Sequence, residues 1–432
     1  MRILKGDNEY IMLETININS NIRLKYIPIT KLKTTVLGVY IHHSLNEKDA
    51  SMNALLPYVL KRSSKLCPTM EDFSKYLENL YGASLGTAVL KRGDDQVLYF
   101  DAETISDKYT PDNEPLLAKL TELMLSVLFE PADGCFNDEI VAQEKNNAIN
   151  RINALVNDKR TYASIRCQEE MCKGENFAIS RLGTIDGINE ITPQSLYDYY
   201  KSIITSSVID FYVCGDADIT SAADKIREYT SKLSFTEASV PKTSVLTGSS
   251  EVKNVTDRME VTQGKLAIGF KTNITPESDE YPALVVFNSV FGAGAHSKLF
   301  NNVREKLSLA YYASSQLERY KGLLVINAGI EFKNFQKAYD ESLVQLEEIK
   351  KGNISDLEFE SSIKAITNSY QSTFDDQRAL ATFFLSESIV GTNETIPQKL
   401  EKINKVTKED VAEIAKKLEL NTVYFLTGKE EA

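Results

Sequence analysis

The sequence predicts an α+β fold of two tandem homologous domains, each an antiparallel-rich sheet covered by helices. Three observations carry this reading. The chain has 432 residues, more than one ordinary core organises. It repeats its own layout from one half to the other, and in each half a pair of strands is followed by a long helical run.

The repeat can be followed element by element. "TVLGVYIHHSLNEKDASMNALLPYVL", from residue 35, has the same plan as "KLAIGFKTNITPESDEYPALVVFNSVF", from residue 265: an apolar strand, a polar acidic loop and an amphipathic helix. "LYGASLGTAVLKRGDDQVLYFDAE" then parallels "LAYYASSQLERYKGLLVINAGIE". Each gives two strands joined by a turn, at Arg92-Gly93 and at Lys321-Gly322. Long helices follow, over 112–172 and 333–404. Thr69 with Asp72 and Ser355 with Glu358 supply start signals of the capping-box kind.

Each half closes on a threonine cap, a helix and a last strand, in 191–216 with Thr192 and Pro193 and in 406–430 with Thr407 and Asp410. Between the halves, "SFTEASVPKTSVLTGSSEVKNV" is rich in Ser, Thr and Val. It reads as an extended linker over 234–258, separating domains at 1–233 and 259–432.

Composition limits function. With 42% hydrophobic and 25% charged residues and no apolar run able to span a bilayer, the chain has the make-up of a water-soluble globular protein. A formal charge of −12 argues against nucleic acid or an anionic membrane as partner, because both require a basic face. The first residues lack a signal-peptide pattern, which points to the cytoplasm. The cysteines, Cys67, Cys135, Cys167, Cys172 and Cys214, have no CxxC spacing and read as free, mostly buried thiols.

Little in the chain suggests bond-breaking chemistry. Its histidines are His42, His43 and His296. The first two are adjacent in a strand and so point to opposite faces, as a strand-end surface or half-buried pair would. His296, in "FGAGAHSKLF", lies in a glycine-mediated turn after a helix; Gly292 and Gly294 do not complete a phosphate-binding fingerprint. Local context suggests no Ser-His-Asp or Cys-His pair. The acidic runs read as solvated surface.

The string "LFNNVREKLSLAYYASS", together with the repeated layout, resembles the pitrilysin-type zinc peptidases, the inverzincins that include insulin-degrading enzyme and the mitochondrial processing peptidase. The resemblance covers nearly the whole chain and is nearest to the small bacterial two-domain members. It implies a processing-peptidase-like fold. Active members carry His-x-x-Glu-His on a helix, where residues four apart share a face and bind one zinc while the glutamate serves as base. Here the matching positions hold Asn53, Leu56 and Pro57. The further glutamate ligand, seven residues beyond Glu144, is replaced by Arg151, a permanent cation without a lone pair to donate. No zinc or other cofactor is therefore expected in this chain.

The family's arginine and tyrosine are retained as Arg304 and Tyr311. By pattern alone these would be a helix surface running into an aromatic core strand, with Tyr311 and Tyr312 both inside. The resemblance implies instead that Arg304 holds a substrate carbonyl and that Tyr311 stabilises the oxyanion formed by attack at a zinc site. With the metal motif gone and this pair kept, the expectation is a non-catalytic, substrate-binding subunit. It would be inactive alone and paired as a heterodimer with a zinc-bearing homologue that acts on peptides or unfolded segments. The alternative is a stand-alone homodimeric peptide-binding or scaffold protein without proteolytic activity.

Overall fold

The computed structural model describes residues 11–131, 134–245 and 251–429. The first sheet contains β1 (Glu14–Asn17), β2 (Ile22–Pro28), β3 (Thr34–Ser44), β4 (Ser84–Arg92), β5 (Asp95–Ile105) and β6 (Val208–Gly215), in the order β1-β2-β6-β3-β5-β4. The second contains β7 (Lys253–Arg258), β8 (Gly264–Lys271), β9 (Ala310–Glu318), β10 (Leu323–Ile330) and β11 (Glu419–Thr427), in the order β7-β11-β8-β10-β9. Removing β1 makes the two orders equivalent. The parallel pair also recurs, β2 with β6 and β7 with β11, while every other pairing is antiparallel. The repeat seen in the sequence is a repeat of topology.

Alternation assigns the faces. In β6, Ile209, Phe211 and Val213 join the main core of the first unit, so Asp210, Tyr212 and Cys214 point the other way. The apolar face is covered by helices that include Ala50–Leu60, Leu116–Phe129 and Pro193–Ser206, through Leu55, Leu123, Met124 and Leu196. The second unit is built likewise. Leu266, Ile268, Phe270, Leu324 and Ile326 pack beneath Tyr281–Phe291, Phe335–Lys350 and Lys408–Lys416. The strand-pair turns match too: Gly93 and Gly322 have φ of +64° and +63°, a region open to glycine at little cost.

Compactness divides the chain differently from the expected domains. The first unit comprises 1–153, 179–242 and 373–389; the second comprises 154–178, 243–372 and 390–432. Helix Lys159–Met171, expected with the first sheet, lies on the second, where Ala163, Cys167 and Met171 pack against Ala267, Val325 and Tyr424. Gly269 makes room for it, since an added Cβ would run into Met171 Sδ. Conversely, helix Gln377–Val390 lies on the polar face of the first sheet. Each sheet is thus covered on both faces. The expected linker needs a further correction, because its last six residues form β7; residues 246–250 of it lie outside the described residues.

Helix Gln377–Val390 is held by polar contacts. Gln377 Nε2 donates to Thr34 O at 2.5 Å, and Arg378 reaches Asp101 at 2.7 Å and Glu103 at 2.5 Å. The guanidinium keeps two neighbouring carboxylates compensated at a partly exposed site. Arg378→Ala is expected to lower unfolding free energy by about 1 kcal/mol in urea titration.

Candidate functional site

Arg304 and Tyr311 flank a join whose geometry the local sequence sets. Leu299 and Val303 bury one side of helix Leu299–Lys306. Two polar ties fix it: Lys298 Nζ to Glu358 at 3.1 Å, and Asn302 Nδ2 to Gln345 Oε1 at 2.9 Å. The helix is wound as a π-helix, its wide turn closed by Leu307 N donating to Asn302 O at 3.1 Å. Such insertions recur at functional positions. Ser308, with φ of +49°, reverses the chain, and β9 starts at Ala310 on the edge of its sheet.

Both side chains face outward. Arg304 is 42% exposed, with its guanidinium 4.6 Å from the Phe300 ring centre and 3.5 Å from Glu305. Tyr311 is 55% exposed. This excludes the core reading for Tyr311. Tyr312, its neighbour, is half-buried beneath the Arg160 guanidinium at 4.2 Å.

The positions expected to match the metal site lie in the first unit, and their residues do not suit a metal. Asn53 is fully buried on helix Ala50–Leu60. Its Nδ2 donates to Gln96 Oε1 at 2.9 Å, and its Oδ1 accepts from the Tyr199 hydroxyl at 2.7 Å. Gln96 in turn donates to Ala50 O and Arg181 O. The amide is thus committed on both sides to neutral partners. Leu56 and Pro57 are buried among apolar neighbours, and neither offers a donor.

Arg151 comes to the same helix, its guanidinium stacked 3.6 Å from the Tyr58 ring centre. Glu144, earlier on helix Asp138–Asn157, is paired with Arg62 at 2.9 Å. An amide, two apolar side chains and a cation cannot form a divalent-cation site. Among the described residues no group of three or more His, Cys, Asp or Glu is arranged to hold a metal ion. Asn53→Ala would strand Gln96 and Tyr199, and a loss of about 1–3 kcal/mol is expected in chemical denaturation.

The sequence did not anticipate the polar network of the first sheet. His42, expected at the surface or half-buried, is fully enclosed. Its Nδ1 lies 2.6 Å from Asp95 Oδ2, and its Nε2 lies 3.6 Å from Asp210 Oδ2. Asp210 also accepts from Arg23 at 2.5 Å and Lys25 at 2.9 Å. Burial alone would lower the His42 pKa, but Asp95 and Asp210 outweigh it and raise it to about 9. Burial likewise pushes Asp210 up, yet His42, Lys25 and Arg23 hold it below the usual carboxylate range. His43 points away, its Nε2 3.1 Å from Asp49. The charged residues alternating with apolar ones in "IRLKYI" and "VIDFYV" were the available signal.

A family profile described as Peptidase M16 inactive domain matches residues 190–366. The protein named "Probable inactive metalloprotease YmfF" of Bacillus subtilis (strain 168) is 38% identical over 408 residues, 93% of this chain and 95% of its own length. A crystal structure of a conserved protein from Enterococcus faecalis V583 is 30% identical, with a TM-score of 0.89 over 97% of this chain and 99% of that one. A peptidase M16 inactive domain from Pseudomonas fluorescens shares the fold at TM-score 0.79 and 14% identity, over 97% of this chain and 98% of its own. Taken with the repeated sheets and the replaced metal-site residues, these likenesses settle the family: the chain belongs to the M16 peptidases, as a member without their metal-binding motif.

Proposed function

We propose that the chain is the non-catalytic, substrate-binding subunit of a heteromeric zinc peptidase. The observation that carries this is the contrast between the two sets of residues. Asn53, Leu56, Pro57 and Arg151 are packed or paired, whereas Arg304 and Tyr311 stand exposed on an anchored π-helix and an edge strand.

In this reading a zinc-bearing homologue carries the metal and the base. Arg304 holds a peptide carbonyl, and the Tyr311 phenol donates to the oxygen that becomes negative as the peptide bond is attacked. The pair works in the cytoplasm on peptides or unfolded segments. Among the described residues no helix is long and apolar enough to cross a membrane.

Co-purification from the native host, followed by metal analysis of the complex and of the separated chains, tests the assignment. A stoichiometric homologue holding all the zinc is expected. Recovery of this chain alone, or paired only with itself, would point to a peptide-binding scaffold and overturn the proposal.

A further inference from the structure

In the second unit, the loop after β7 and the first turn of helix Lys159–Met171 border an open cleft of about 790 Å³. Its wall carries Lys159, Arg258, Lys265 and Lys429 against a single acid, Glu260, with Met259 and Val261 as apolar surface. Arg160 adjoins it, and Lys265 Nζ lies 5.8 Å from the centre of the Tyr312 ring on which Arg160 stacks. Such a concentration of positive charge is unexpected in a chain of net charge −12.

Three of the cations, Lys159, Arg160 and Lys265, are thinly compensated. Among the described residues no carboxylate lies within ion-pair distance of Lys159, Arg160 or Lys265. Their side-chain hydrogen bonds go to neutral groups: Lys159 donates to Val156 O at 2.9 Å, Lys265 to Gln263 Oε1 at 3.3 Å and Arg160 to Ser314 Oγ at 3.4 Å, while the Asp158 carboxylate, which caps the same helix, attracts the Arg160 charge from beyond ion-pair distance. Burial pushes the Lys265 ammonium below its ordinary pKa, and the Arg160 charge adds to the shift. Like charges held together in partial shelter repel, and an anion entering among them removes that repulsion as well as gaining its own attraction.

The cavity has the size of a ligand cleft, larger than one inorganic anion needs, and its wall mixes cations with apolar and amide groups. We propose that it binds an acidic segment of peptide, with side-chain carboxylates at Lys159, Arg160 and Lys265 and aliphatic portions against Met259 and Val261. This rests on the reading that the chain binds peptides, and it names a class of segment for which that binding is strongest.

Fluorescence anisotropy of the full chain with a short labelled glutamate-rich peptide, its glutamine counterpart and inorganic tripolyphosphate as competitor decides it. The glutamate peptide is expected to bind about tenfold more tightly, a difference of about 1.4 kcal/mol, and the advantage should shrink with added salt. Lys265→Gln and Arg160→Gln should each remove most of the advantage, and the charge-preserving Lys265→Arg should retain it. Equal affinities for the two peptides, or an advantage untouched by both glutamine variants, would overturn the proposal, as would tripolyphosphate binding at the cavity without any preference for the glutamate peptide. The subunit assignment is tested apart from this, because cleavage of a neutral substrate by the reconstituted pair does not involve the cavity's charges.

Discussion

Tyr311→Phe is expected to slow peptide cleavage by the reconstituted pair on the order of 100-fold or more, with kcat falling and KM nearly unchanged. The substitution removes one oxygen from a side chain that is 55% exposed, so the ring, the strand and the stability of the chain should be preserved. In the proposed role, what disappears is a donor aimed at charge present only in the transition state, which is why the loss should fall on kcat. Arg304→Ala should behave differently. A carbonyl held equally in ground and transition states raises KM when its donor is removed. Steady-state kinetics of the two variants against the parent pair give the measurement, and a Tyr311→Phe pair cleaving at the parent rate would remove the phenol from the mechanism.

Asp210→Asn carries the largest expected cost in stability, about 3–5 kcal/mol. Asp210 is enclosed on β6 and meets Arg23, Lys25 and, at 3.6 Å, His42; Lys25 is itself buried and also donates to the Tyr212 hydroxyl and Ser388 Oγ. Neutralising the carboxylate leaves sheltered cations without their counter-charge, while the shape of the site barely changes. Urea titration near neutral pH measures the loss, and one below about 1 kcal/mol would show that water or rearrangement compensates the cations.

The same network has a pH signature. The His42 pKa of about 9 in the folded chain exceeds its ordinary value, so the folded state binds the proton more tightly than the unfolded state. The resulting stabilisation is fully present below about pH 6.5 and disappears as pH rises through about 9. Over that window the chain is expected to lose on the order of 2 to 3 kcal/mol from this site. His42→Gln should flatten the dependence. A parent protein equally stable at both ends of the window would show that His42 is neutral when folded.

Much of the fold was legible because local chemistry and global topology agree. The caps formed as read: Thr69 with Asp72, Ser355 with Glu358 and Thr407 with Asp410 each exchange side-chain and backbone hydrogen bonds. Placement of helix Lys159–Met171 was not legible. An amphipathic pattern reports that a helix has a buried face but not which sheet covers it. β7 was hidden for a related reason: as an edge strand of alternating half-buried and exposed residues, it lacks the apolar run that marks an interior strand.

The site shows the same division. That Asn53, Leu56, Pro57 and Arg151 cannot act as metal donors follows from residue type once the family resemblance places them. What took their place, an amide clasped by Gln96 and Tyr199 and a guanidinium on Tyr58, joins residues far apart in the chain and leaves no periodic trace. The exposure of Tyr311 was not legible from pattern, since "AYYAS" would pass for a core strand. The π-helix before it has no known propensity signature in residues 299–306.

The trading of helices between the two units constrains how such a chain could arise. The backbone passes from one unit to the other after residues 153, 178, 242, 372 and 389, so neither half of the polypeptide contains a complete copy of the architecture. If a half-length ancestor folded in this way, it could have finished its structure only by borrowing a helix from a twin. Fusion would then have turned an exchange between molecules into a permanent feature of one chain, freeing its two units to diverge.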